Sequence, residues 1–130
     1  MVVSAAAALL TGSMGTAHAD YDRYGSYAVA DMGDHWRIGY SLNRPDQAAA
    51  DSHALAQCQY ANCATVVRWV NGCAALVDRD GNLYWGLGGS LVEASRNALA
   101  AAGPDPAPFL VSLGSAEPSQ ATVLDSRCTD

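Results

Sequence analysis

The sequence predicts an α+β domain built from two duplicated β-hairpin–helix–strand units, with antiparallel sheet and a disulfide staple. Three observations lead there: two passages matching at one constant spacing, an alanine-rich helical stretch after each, and four cysteines in a chain of 130 residues.

The first passage runs Tyr24-Gly25-Ser26-Tyr27-Ala28-Val29-Ala30-Asp31, passes Met32-Gly33-Asp34, and continues His35-Trp36-Arg37-Ile38-Gly39-Tyr40-Ser41. The second runs Asn71-Gly72-Cys73-Ala74-Ala75-Leu76-Val77-Asp78, passes Arg79-Asp80-Gly81, and continues Asn82-Leu83-Tyr84-Trp85-Gly86-Leu87-Gly88. Gly25 matches Gly72, Ala28 matches Ala75, Asp31 matches Asp78 and Gly39 matches Gly86. Apolar and aromatic residues around a short Asp/Gly turn read as a hairpin in each, and Asp80-Gly81 is a strong turn signal.

A helix follows each hairpin. In the first, Asn43-Arg44-Pro45-Asp46 reads as an N-terminal cap, with Ala48, Ala49, Ala54, Leu55 and Cys58 sharing a face. In the second, Ser90 and Glu93 form a Ser-x-x-Glu capping box, and Ala94, Ala98, Leu99 and Ala102 supply the apolar stripe. Thr65–Val70 closes the first unit as a strand, and Thr122–Arg127 is its counterpart. The proline-rich passage from Gly103 to Gln120, with its apolar island Phe109-Leu110-Val111, reads as an inserted loop or an extra edge strand. The units span about 24–70 and 71–128, inside one secreted domain of residues 20–130.

The segment Met1–Ala19 reads as a signal peptide. The apolar run Val2–Leu10 is followed by small residues and ends in Ala17-His18-Ala19, so cleavage leaves Asp20 first. No Arg or Lys precedes the run. It is well short of the ~20 apolar residues that span a bilayer, so no transmembrane anchor is expected. Localisation is then secreted, either extracellular or in the cell envelope.

The net charge is -6, from seven basic and thirteen acidic residues, and every basic residue is arginine. Such a balance argues against nucleic acid, whose affinity comes from neutralised phosphates, and against anionic membrane surfaces. Abundant alanine without lysine is the composition of a GC-rich bacterial genome.

Cys58, Cys63, Cys73 and Cys128 allow three disulfide connectivities. The favoured one joins Cys58 to Cys63, clipping a helix end to the next strand, and Cys73 to Cys128, tying the C-terminal tail to mid-chain. A zinc site from His53, Cys58, Cys63 and Cys73 is the alternative, but the tight C-x2-C spacing of structural zinc is missing.

Tyr24–Ala30, the helix Pro45-Asp46-Gln47-Ala48-Ala49-Ala50 ending in Cys58, and Cys63-Ala64-Thr65-Val66-Val67-Arg68-Trp69-Val70-Asn71-Gly72-Cys73-Ala74-Ala75-Leu76 together resemble the domain of unknown function 4189 family. That family consists of small secreted proteins of actinobacteria. The similarity covers Tyr24 to about Ala102 and resumes near Cys128; the 103–120 insertion and Arg127-Cys128 depart from it. The resemblance implies export, a disulfide framework and a duplicated domain, and it carries no activity.

Chemistry-bearing patterns are few. His35 beside Asp34 fits a solvated turn, and His53 with Asp51 a helix surface. No serine lies in a Gly-x-Ser-x-Gly elbow. Gly86-Leu87-Gly88-Gly89 lacks the lysine of a phosphate loop. Asp78-Arg79-Asp80-Gly81-Asn82 lacks the terminal Glu of a calcium loop. No catalytic residue, metal ligand or cofactor is therefore expected. Tyr27, Trp36, Tyr40, Tyr84 and Trp85 form the most distinctive set. Cross-strand aromatic pairs suit a core; exposed, they would anchor a protein or glycan partner. The expected function is a non-enzymatic binding module for an envelope, extracellular or host partner. A small hydrolase or thiol enzyme and a structural envelope protein are the alternatives.

Overall fold

The computed structural model describes residues 21–130; the signal-peptide reading of Met1–Ala19 and the start at Asp20 lie outside them. The first unit is β1 (Tyr24–Asp31), β2 (Trp36–Arg44), α1 (Gln47–Cys58) and β3 (Ala64–Val70). The second is β4 (Cys73–Arg79), β5 (Asn82–Gly88), α2 (Leu91–Ala102), a short α3 (Pro108–Ser112) and β6 (Thr122–Cys128).

Each unit is a three-stranded antiparallel sheet with its first strand in the middle, in the orders β2-β1-β3 and β5-β4-β6. Asp80 and Gly81 have φ of 54° and 83°, so the second hairpin turns in two left-handed residues between the paired Arg79 and Asn82. Asp46 caps α1 by accepting from Ala49 N at 2.7 Å, and Ser90 caps α2 by accepting from Glu93 N at 3.1 Å. Glu93 reaches back to Gly89 N, completing a reciprocal box one residue earlier than usual.

Strand alternation sends one face of each sheet to its helix and the other to the opposite sheet. On the helix side, Ala28 and Ala30 pack with Ala54 and Cys58, while Cys73, Ala75 and Val77 pack with Ala94 and Ala98. The matched glycines explain the closeness. A methyl on Gly39 would overlap Ala54 O and the Cys58 backbone, and one on Gly86 would overlap Ala94 O and Ala98 N. The matched Ala28–Gly39 and Ala75–Gly86 pairs sit opposite each other in their ladders. The repeat is therefore written where a helix backbone lies directly on a sheet.

Between the sheets, Tyr27, Val29, Val67 and Trp69 from the first meet Ala74 and Leu76 from the second. Large side chains on one sheet fill the room left by small ones on the other. Trp69 in turn lies over Gly25, where any Cβ would strike its indole. The order is helix, sheet, sheet, helix. Tyr27 Oη donates to Asp125 Oδ2 at 2.8 Å and Trp36 Nε1 to Asp78 Oδ1 at 3.0 Å, both across the interface. Burial, reinforced by the Asp125 hydrogen bond, pushes the Tyr27 hydroxyl far above the usual phenol range, so it stays a donor.

Two disulfides close, Cys58–Cys63 and Cys73–Cys128, and all four cysteines are used. Three expectations need correction. The face of α1 is Ala50, Ala54 and Cys58, with Leu55 exposed. Leu99 likewise leaves the buried stripe of α2. The apolar island at 109–111 is neither loop nor strand but the single helical turn of α3, started by Pro108 at its first position.

Candidate functional site

The helix flanks of the two units are equivalent in position and opposite in chemistry. Gly39 and Gly86 set the alignment: Ala54 matches Ala94, so Asp51 matches Leu91. Ladder partners Ser26–Arg68 match Cys73–Cys128.

In the first unit this corner is closed by polar contacts. Asp51 accepts from Ser26 Oγ at 2.9 Å, Arg68 Nε at 2.8 Å and Gln47 Nε2 at 3.1 Å. Burial alone would raise the Asp51 pKa, but the hydrogen bonds from Arg68, Ser26 and Gln47 prevail and hold it below the ordinary value. Ser26 is fully buried, so its hydroxyl is a structural donor.

In the second unit a disulfide occupies the Ser26–Arg68 position, and nothing polar ties Leu91 down. Leu91, Val92 and Leu99 are 47%, 65% and 37% exposed. They line three adjoining depressions along one side of α2. A cleft of about 760 Å³ lies between Tyr21, Cys128, Thr129, Leu91 and Val92. A shallower groove follows Leu91, Val92, Ser95, Arg96 and Leu99, and a third hollow joins Leu99 to Arg79, Pro104 and Ala121. Helix α2 packs mainly on β4 and β5.

One end of the trough is built by Arg79. Its guanidinium donates to Ala102 O at 3.1 Å, Gly103 O at 2.7 Å, Asp105 Oδ1 at 2.7 Å and Ser119 Oγ at 2.8 Å. The Arg79 hydrogen bond keeps the exposed Asp105 carboxyl below its ordinary pKa. One side chain thereby laces both ends of the 103–120 insertion to the hairpin. An arginine at a hairpin corner gives no sequence sign of this, because half its partners are backbone carbonyls.

The expected aromatic surface is dispersed. Tyr27 is 0% exposed and has no area to offer a partner; packing between the sheets removes it. Trp36 and Tyr40 pack against the same core, Tyr40 beneath the Arg127 guanidinium at 3.8 Å. Tyr84 is half-buried on the helix side of β5, and only Trp85, 45% exposed, stays open. At the hairpin tips His35 meets Asp34 at 2.6 Å, in a hollow lined by Asp31, Trp36, Asp78, Gly81 and Leu124 with no hydroxyl or thiol. The cysteine–zinc reading fails because all four thiols are consumed. The calcium-loop passage is a two-residue turn, with Asp78 given to Trp36. Among the described residues, no helix is long and apolar enough to cross a membrane.

The class defined here is a disulfide-stapled α+β domain of two matching units in which one helix flank is closed and the other open. The family model described as domain of unknown function (DUF4189) matches residues 24–105, and the chain belongs to that family. No curated protein and no solved structure matches it. The match takes in both hairpins and both long helices, and leaves α3 and β6 beyond it.

Proposed function

We propose that the protein is an exported, non-enzymatic binding module that receives an extracellular or envelope protein along the trough between α2 and β6. Two disulfides and the Ala17-His18-Ala19 ending support export, since such bridges persist in oxidising compartments. One observation carries the binding reading. Leu91, Val92 and Leu99 stand exposed in a row of adjoining hollows, whereas Asp51, the residue matched to Leu91, is tied to Ser26 and Arg68 of its own sheet. Apolar side chains set in hollows with a polar rim are what interface centres are made of. An enzymatic role has weaker support: the histidine hollow lacks a nucleophile, and the hydroxyl joined to Asp51 is buried.

The test places a photo-crosslinking residue at Val92 and, as control, at Gln57 on α1, in protein exported by its own cells. The expected result is a discrete conjugate from Val92 alone that Leu99→Glu abolishes. No conjugate at Val92, or equal labelling from both positions, would sink the reading.

A further inference from the structure

The four edge strands are not protected alike. In its ladder with β1, β2 sets Leu42 and Asn43 against Gly25 alone; β3 carries the extra residue Val66, and β6 the extra residue Leu124. Strand β5 pairs without interruption from Asn82–Arg79 to Gly88–Cys73. It also holds no charged residue and no proline: Asn82-Leu83-Tyr84-Trp85-Gly86-Leu87-Gly88. Bulges, charges and prolines are the devices by which edge strands avoid their own copies. Among the described strands, β5 alone has none.

Its free hydrogen-bonding groups follow from the turn. With Asp80-Gly81 as a two-residue left-handed loop, Arg79 and Asn82 exchange both bonds, as do Val77–Tyr84, Ala75–Gly86 and Cys73–Gly88. Leu83, Trp85 and Leu87 therefore aim their backbone groups outward. Asn97 Nδ2 already caps Leu87 O at 2.7 Å. The open stretch is Leu83 to Trp85.

We infer that β5 pairs with β5 of a second copy of this chain, antiparallel about a twofold axis at Tyr84. Leu83 N–H then donates to Trp85 C=O of the other copy, and Trp85 N–H to Leu83 C=O. Symmetry doubles the set, and Asn97 keeps its bond to Leu87. Leu83 and Trp85 meet on one face and the two Tyr84 rings on the other, covering the open part of Trp85. The occupant is a second copy because this register is self-complementary and the strip is neutral, so two molecules of net charge -6 meet where neither carries charge. Asn97, which faces this edge, and Leu99, about 200° round the helix from it, lie on opposite sides of α2, so the trough stays free in the pair.

The test is light scattering on the exported, disulfide-intact protein across concentration, with hydrogen exchange at single-amide resolution. The expected result is a mass twice that of the chain, with the Leu83 and Trp85 amides protected at high concentration and exposed on dilution. Trp85→Lys should return the monomer with both disulfides and the thermal transition kept, while Val123→Lys, on the bulged β6 edge, should leave the dimer intact. A monomer at every concentration, or a dimer surviving Trp85→Lys with those amides unprotected, overturns the inference. A monomer whose edge amides become protected only on adding another extracellular protein also overturns it, giving the edge to a foreign strand.

Discussion

The two helix corners occupy matching positions and solve one problem by different bonds. In the first unit, Ser26, Asp51 and Arg68 hold helix to sheet through hydrogen bonds and an ion pair. In the second, Cys73–Cys128 holds strand to strand and leaves the helix residue at that place, Leu91, free. A covalent tie within the sheet removes the need for a polar tie to the helix, and the released flank is open and apolar. Stability and exposure are exchanged between units.

The hardest way to break the comparison is at the covalent corner. In the chain-entropy account, opening the loop closed over a sequence separation of 55 costs about 4 kcal/mol, against roughly 2 kcal/mol for the separation of 5 at Cys58–Cys63. Replacing Cys73 and Cys128 together by serine should lower the urea midpoint about twice as far as replacing Cys58 and Cys63. Equal losses would mean that the second unit does not depend on its staple.

Next come the glycines beneath the helices. Gly39→Ala and Gly86→Ala each force a methyl into helix backbone, which cannot yield like a side chain, and each should destabilise by about 3 kcal/mol. Equal effects in thermal melts would confirm that helix and sheet are packed equally tightly in both units. A neutral Gly86→Ala would show α2 to be the looser helix.

The smallest effect separates the polar corner from its apolar twin. Asp51→Ala strands the buried Ser26 hydroxyl and should cost about 2 kcal/mol. Leu91→Ala, at a half-exposed site, should stay within about 0.5 kcal/mol. Acid distinguishes them further. The folded Asp51 pKa lies below its unfolded value, so its contribution is complete above the unfolded pKa and lost as pH falls through the folded one. Amides around Ser26 and Arg68 should lose protection in that acid window, an effect Asp51→Asn removes, while those beside the disulfide Cys73–Cys128 hold. Simultaneous loss at both corners would contradict independent ties.

Much of the architecture was legible because backbone proximity leaves a strict mark. Gly39 and Gly86 admit no substitute, and Ala28 and Ala75 face them, so these survive as a repeat. The inter-sheet layer kept no such mark. Tyr27 faces a space that Ala74 leaves, and complementary sizes read as unrelated residues. Period-two alternation puts Tyr27 and Val29 on one face but does not tell whether a second sheet covers it, so a core and a binding surface look the same in sequence. The open trough is hidden for another reason: in helices this rich in alanine, the buried side cannot be picked out by pattern, and spacing alone puts the exposed Leu99 in the apolar stripe. Even the matched Asp31 and Asp78 part ways, the first accepting from Gly33 N at 2.9 Å within its own turn and the second from Trp36.

The Cys73–Cys128 bridge has a consequence for life among proteases. It encloses all of α2, the Arg79 lacing and the 103–120 passage, whose exposed Phe109 and Leu113 lie where a protease gains ready access. A cut there leaves two peptides but one molecule: β6 stays bonded to β4 through its ladder and its sulfur, and the Arg79 contacts grip both cut ends. If the chain is exported as proposed, to where a severed chain cannot be remade, the bridge would hold a nicked molecule together.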